Sequence, residues 1–402
     1  MLFRQRLNSE LDGKDEVFRH FMAEYSNGVE VYLDLLEKLE KAALSDFYSQ
    51  LVAEENCGGA IPSDELASGS FSKSFGTSWN NHEQARRWAG EVLERRVTFA
   101  ADGSQIYTGK ETVLPVAAVQ IGWFENPHDG DSFYEKNAVF QLLTPEELLA
   151  EWQEPMNPDI RVESFRYLGE VERLRMFLEK RSGWQQRGER MPLAFFDNPL
   201  LVPFSQKGLQ KKFLDATVDL VRLSRETKVP LLGYVDRSFS RDILTMLDAF
   251  GGNGDNGGAA IFDASILRSF RDDGSRVLAN WGDRTCFCYS SRRGLEDFLD
   301  PATGRSTVGF VYLQTTLESA PARVDVPSWV YEEGLLDELI DVVRAECIVG
   351  LGYPYALETA DQTAVISTRD REVFFRALQE YMTRGKLDFS VSRKDSSKKR
   401  RR

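Results

Sequence analysis

Apolar positions recur at helical spacing over residues 15–55, with Val17, Phe21 and Tyr25 followed by Val31, Leu33, Leu35, Leu36, Leu39 and Leu51 among Glu and Lys. The spacing predicts a helical arm with a break at Asn27-Gly28. Residues 56–78 are rich in Gly and Ser and read as a linker, and a further helix is expected over roughly 80–95. From Arg96 the period changes to that of strands, in VTFAADGSQI, VLPVAAVQIGWFE and NAVFQLL. An amphipathic helix over 159–181 turns Leu168, Val171, Leu174 and Leu178 to one side, and PLAFFDNPLL follows as a short buried strand ending in Asp197. A helix over 206–227, the strand PLLGYVD and a helix from Ser240 come next. GGNGDNGG (251–258) reads as a loop. The strands RTCFCYS and TVGFVYLQT, a VDVP turn, and helices near 332–348 and 357–383 complete the pattern. The expectation is one α/β domain over 96–385 with a central mixed sheet, preceded by an arm and linker (1–95) and followed by a tail (386–402).

Charge alters the picture in one respect. The 402 residues carry a formal charge of −13, but residues 393–402 (RKDSSKKRRR) hold seven basic residues and one acidic, which leaves −19 on the rest. An acidic body with a basic tail is not a protein that coats nucleic acid with a basic surface. The tail could touch DNA electrostatically or serve as a solubilising end. Cys57, Cys286, Cys288 and Cys347 follow no secreted disulfide pattern, and with His20, His82 and His128 as the only histidines they make no zinc spacing. Free buried thiols in a reducing compartment are expected. No apolar run approaches the ~20 residues that span a membrane, and the N-terminus has no signal-peptide core, so a cytoplasmic protein is expected.

Several chemistries lack their motifs: there is no GxSxG elbow, no GxxxxGK[ST] loop and no GxGxxG after a strand. What remains is carboxylates at strand ends. Asp102 ends the run VTFAA and Asp197 ends LAFF. A carboxylate at the end of a buried strand is held rigidly and still opens onto the rim where ligands bind. Two or three of them repel unless a cation lies between, and Mg²⁺ or Mn²⁺ accepts such an all-oxygen environment. Two-metal sites of this kind clamp the attacking and leaving oxygens in phosphodiester cleavage. Asp-Gly and Asp-Asn are also plain turn formers, and that reading stands beside the chemical one.

The motifs taken together, AADGSQIY (100–107), AFFDNPLL (194–201), LLGYVDRSFSRDI (232–243), VGFVYLQT…APARVDVPSWV (308–330) and GYPYALETADQTAVIS (352–367), resemble the NurA family of DNA end-processing nucleases. The resemblance implies an RNase H-like core in which Asp102 and Asp197 are metal ligands. It also implies a Glu on the helix before the second aspartate. Glu170 lies roughly 80° from the centre of that helix's apolar stripe and Glu172 roughly 120°, which favours Glu170 without removing the reading of both as solvated charges. Tyr353 matches the family aromatic in GYP. The family His is replaced by Asp361, which is read as a fourth metal-binding carboxylate or as a helix-start acid favoured by the macrodipole. Asp325 and Asp236 are secondary candidates, with turn chemistry and pairing to Arg323 or Arg237 as the plainer account.

The resemblance therefore implies a nuclease using Mn²⁺ or Mg²⁺ through Asp102, Glu170, Asp197 and Asp361, with Tyr353 in the site. It further implies a homodimer docked on a HerA-type hexameric ATPase that delivers DNA ends, in double-strand break resection or antiphage defence. A scaffold that kept the fold without activity is the rival, resting on the lost His and on Asn198 in place of the usual Gly. An RNase H-like enzyme acting on RNA is the other.

Overall fold

The N-terminal apolar pattern forms α1 (Arg4–Asp12) and α2 (Asp15–Lys41), and α2 runs unbroken through Asn27-Gly28. The expected break is overridden by packing. A mid-helix Gly costs about 1 kcal/mol. Burial of Val29, Tyr32, Leu35, Leu36 and Leu39 on one stripe of α2 returns about 1.5–3 kcal/mol for each large side chain.

The computed structural model describes residues 3–43, 45–48, 59–108, 115–149, 157–201, 210–252, 261–292 and 294–385. Cys57, residues 253–258 of the glycine-rich loop and the tail 386–402 lie outside the described residues. After α2 come β1 (Ala60–Pro62), β2 (Ser72–Lys73) and α3 (His82–Leu93). The sheet strands and their helices follow as β3 (Thr98–Ile106), β4 (Ala117–Asn126), β5 (Glu135–Leu143), α4 (Pro145–Leu149) and α5 (Pro158–Arg181). Then come β6 (Leu193–Phe196), α6 (Gln210–Thr227), β7 (Leu231–Val235), α7 (Asp242–Gly251) and α8 (Asp263–Leu267). The remainder is β8 (Arg284–Thr285), β9 (Cys288–Ser290), β10 (Val308–Leu313), β11 (Ala322–Pro327), α9 (Ser328–Glu332), α10 (Leu336–Val349), α11 (Tyr355–Ala364) and α12 (Thr368–Arg384).

The chain divides into two units: residues 1–78 with 235–328, and residues 79–234 with 329–402. In the first, β1, β9, β10 and β11 pair antiparallel in that order, and β2 pairs β8. Val29, Tyr32, Leu36 and Leu39 of α2 share a core there with Ile243, Leu247, Ile266 and Tyr312. Cys286 and Cys288 are free thiols and buried, and Cys347 in the second unit is buried.

The second unit is built on the sheet order β7-β6-β3-β4-β5. Strands β3, β4 and β5 form an antiparallel meander, β6 joins β3 in parallel and β7 joins β6 in parallel. Three antiparallel strands continued by two parallel ones on the side of the first is the order of an RNase H-like core. Helix α5 covers one face, where Phe99 of β3 stacks on Phe177 at 4.7 Å between ring centres. Helix α11 covers the other, with Gln120 of β4 donating to the Ala364 carbonyl at 3.1 Å.

Four further expectations are corrected. Asp102-Gly103 is no turn: β3 continues through it, with Asp102 opposite Gly122 and Gly103 opposite Ile121. The VDVP segment is also extended, forming β11, whose residues are all buried. The last helix expected over 357–383 is two helices, because Val365 (ψ 125°) leaves the helical region and Ser367 caps α12 in a reciprocal pair with Asp370. The Gly/Ser-rich linker is likewise partly structured, since β1 and β2 lie within it. Among the described residues no helix is long and apolar enough to cross a membrane.

Candidate active site

Asp102 sits in the middle of β3, where successive side chains alternate between sheet faces. Thr98, Ala100, Asp102 and Ser104 point to the α11 side. Gly103 points to the α5 side, and a Cβ there would lie 2.4 Å from Arg166 Cγ and 2.6 Å from Glu170 Oε1. Lack of a side chain at Gly103 is what lets the α5 pair Arg166 and Glu170 close on the strand. The Asp-Gly pair therefore serves approach, not turning.

Glu170 is 1% exposed. Arg166, one turn earlier on α5, donates to Glu170 Oε1 at 3.1 Å and stands 3.9 Å from Asp102 Oδ1. Asn198, directly after Asp197, donates from Nδ2 to Glu170 Oε2 at 3.3 Å. Glu172, by contrast, is half exposed and paired with Arg175. The helix phase thus puts Glu170 against the strand ends and Glu172 toward solvent.

Asp197 follows the last residue of β6 and is exposed, and Tyr353 donates its hydroxyl to Asp197 Oδ1 at 2.9 Å. Asp361 lies two turns into α11, close enough to Asp102 to push its carboxyl up. This placement removes the helix-start reading of Asp361, because the first turn of α11 is Tyr355 to Glu358. Asp102, Glu170, Asp197, Tyr353 and Asp361 are thus brought to one spot from a strand, a helix, a strand end, a turn and a second helix. Of the secondary candidates, Asp325 is fully buried in β11 with Arg323 Nε donating to it at 2.7 Å, and Asp236 is exposed.

The carboxyls feel one another. Burial, joined by the nearby Asp361 and Asp197 carboxyls, pushes Asp102 up to about 6 against the Gly103 N–H, which holds it down. Burial pushes Glu170 up to about 8, with Arg166 opposing and Asp102 and Asp197 adding. Burial therefore favours the protonated form of Glu170, and Arg166 the carboxylate. Groups that repel in this way are hard oxygen donors short of positive charge, which is the chemistry a divalent cation satisfies. Among the described residues no three His, Cys, Asp or Glu side chains are grouped tightly enough to hold an ion as they stand. Arg166 supplies the positive charge in this arrangement, bridging Glu170 and Asp102.

The family model for the NurA domain matches residues 96–366. The chain belongs to the NurA family, and it is a nuclease. Among curated proteins none matches it. Among solved structures, NurA with manganese is 11% identical, covering 72% of this chain and 89% of that one at a TM-score of 0.31. NurA bound to dAMP and manganese is 10% identical, with 71% and 88% covered and a TM-score of 0.31. The catalytic domain of human endonuclease V is 14% identical, with 74% and 95% covered, again at 0.31. At these TM-scores the likeness assigns no residue role in this chain.

Sequence reasoning missed Arg166 and the part played by Asn198. Arg166 had a faint signal, its spacing of four from Glu170 on a helix. Asn198, read as a departure from the family, provides a hydrogen bond to the buried acid that a Gly would leave unmade.

Proposed function

We propose that this NurA-family nuclease hydrolyses DNA at its ends, using Mn²⁺ or Mg²⁺ held by Asp102, Glu170, Asp197 and Asp361. The observation that carries the reading is that these carboxyls, from elements far apart in sequence, lie close enough to raise one another's affinity for protons. Their all-oxygen donor set suits hard divalent cations, and closing around one would require Arg166 to yield its contacts. A divalent ion there supplies Lewis-acid activation of water and charge neutralisation at phosphate. The chain's own residues do the positioning. Asp102 and Asp361 face each other across the gap between β3 and α11, and the Tyr353 hydroxyl steadies Asp197. Arg166, once released, is aimed at the same place and suits a phosphate oxygen.

Delivery of DNA by another protein fits the charge. With −19 on residues 1–392, the body offers phosphate little attraction, because affinity for the backbone comes mainly from Lys and Arg. A HerA-type hexameric ATPase, implied by the family resemblance, fits that role, and with it cytoplasmic work in break resection or antiphage defence. Self-association through the N-terminal arm is part of the reading. Phe3, Leu7, Leu11, Val17, Phe18, Phe21 and Met22 are exposed there, and α1 buries none of its residues.

The test is cleavage of end-labelled duplex DNA, single-stranded DNA and RNA in Mn²⁺, Mg²⁺ or EDTA, with and without a HerA-type ATPase. DNA products that need a divalent ion are expected. Equal cleavage in EDTA, or cleavage of RNA alone, would overturn the proposal.

A further inference from the structure

We infer that Glu346 is a positioning residue that ties the helix carrying Asp361 to the strand carrying Asp102. The inference rests on the proposed roles of those two aspartates. Glu346 is on α10, outside the site, and is 1% exposed. Its Oε2 accepts the Ala356 N–H at 2.8 Å, and its Oε1 accepts the Thr98 hydroxyl at 3.0 Å. Ala356 is in the first turn of α11, and Thr98 opens β3 on the same sheet face as Asp102.

The first turn of a helix has N–H groups without intrahelical acceptors, and a side chain at the N-cap ordinarily meets one of them. Here the N-cap is Pro354, which has no side-chain acceptor and makes no capping bond. Glu346 takes over that duty from another helix, and its carboxylate also suits the positive end of the α11 dipole. The far end of α11 is seated separately. A Cβ on Gly122 would lie 2.5 Å from the Ala364 backbone nitrogen, and the Ile366 N–H donates to Ser104 Oγ at 3.3 Å. Asp361 hangs between these two anchorages. Without the first, the helix can tilt about the second and carry Asp361 away from Asp102.

A buried acid is a costly way to fill space, since a Leu or Met of similar volume would do so without desolvation. Burial pushes Glu346 up to about 7, with the Ala356 and Thr98 hydrogen bonds opposing. His128, whose Nδ1 meets the Arg96 carbonyl at 2.7 Å, places Nε2 3.6 Å from Glu346 Oε1.

The test is Glu346→Leu, with Glu346→Gln as the conservative variant, in the full chain. The amide of Gln can accept from Ala356 and donate to Thr98, so it should keep near wild-type kcat. Leu should cut kcat about 10–100-fold with little change in KM, as expected when a reacting group is displaced by about an ångström. In metal-free protein, hydrogen exchange over residues 355–361 should accelerate in the Leu variant while β3 and β4 stay protected. Adding Glu346→Leu to Asp361→Asn should cost little more than Asp361→Asn alone, because Asp361 is what Glu346 positions. Unchanged exchange over 355–361, or losses that multiply in the double variant, would overturn the inference. If the Leu variant does not fold, Thr98→Val removes the other half of the tie and is read in the same way. Wild-type cleavage by both Asp102→Asn and Asp361→Asn would sink the reading of the site instead, leaving the exchange result to decide the tie.

Discussion

Tyr353 and Asp197 are 156 residues apart in sequence and joined by a 2.9 Å hydrogen bond from the phenol to the carboxylate. The Tyr353 ring is held edge-on to buried Tyr234, with ring centres 5.3 Å apart, so the hydroxyl is aimed before any substrate arrives. Tyr353→Phe keeps that ring contact and deletes only the bond. Hydrogen bonds to charged groups are worth about 1.5–3 kcal/mol, and the exposure of Asp197 puts the loss at the lower end. Single-turnover cleavage should slow about tenfold, with the melting temperature lowered by at most a few degrees. An unchanged rate would mean that Asp197 needs no orientation.

Glu170 and Glu172 are two residues apart and should behave very differently. Glu172 is half exposed and pairs with Arg175, and exposed pairs of this kind are worth at most about 1 kcal/mol. Glu172→Gln should therefore leave cleavage within about twofold of wild type. Glu170→Gln keeps the buried shape and the neighbours Arg166 and Asn198 but removes a group that can ionise. The rate should fall about 100-fold or more, with little change in melting temperature near pH 7, where burial already favours the protonated form. Equal rates for the two variants, measured side by side on one DNA substrate, would contradict the placement of Glu170 in the reaction.

Much of this site was legible in the chain before its fold. Strand and helix periods located β3, β6 and α5, and the phase of α5 pointed Glu170 inward. What stayed hidden was whatever depends on close approach between distant segments. Asp102-Gly103 and VDVP carry turn residues, yet both are strands, because pairing with β4 and with β10 outweighs local turn preference. Gly103 is small because Arg166 and Glu170 press on it, and no local pattern records that contact. Glu346 is hidden for the same reason, being one of four acids on its helix, with partners 10 and 248 residues away.

The N-terminal arm offers a test of self-association. The second half of α2 is buried in its own unit, whereas Phe18, Phe21 and Met22 on the first half are 53%, 46% and 55% exposed. Deleting the whole arm would remove core residues such as Tyr32 and Leu36, so point changes are the cleaner probe. Phe18→Ser with Phe21→Ser should convert a dimer to a monomer by light scattering and leave the melting temperature of the monomer unaltered. A dimer mass that persists would place the interface elsewhere.

The raised acids make the metal-free protein sensitive to alkali. Asp102 moves from 3.8 to about 6 and Glu170 from 4.5 to about 8, so both bind protons more tightly in the folded chain. A raised acid contributes stability that is complete below its unfolded value and is lost as pH rises through its folded value. The contribution is therefore whole below about pH 4, falls through pH 6 as Asp102 ionises, and goes on falling through pH 8 with Glu170. A tenfold gain in proton affinity on folding is worth about 1.4 kcal/mol, so the ionisation of Asp102 alone can account for a loss of about 3 kcal/mol. Asp102→Asn removes that ionisation while keeping shape. In EDTA its stability relative to wild type, measured by denaturant unfolding, should be flat below pH 4, grow in its favour between about pH 4 and 6, and level off above that. The same variant should be inactive in cleavage. A gap between the two proteins that does not widen with pH would show that Asp102 ionises freely, held up neither by burial nor by Asp197 and Asp361.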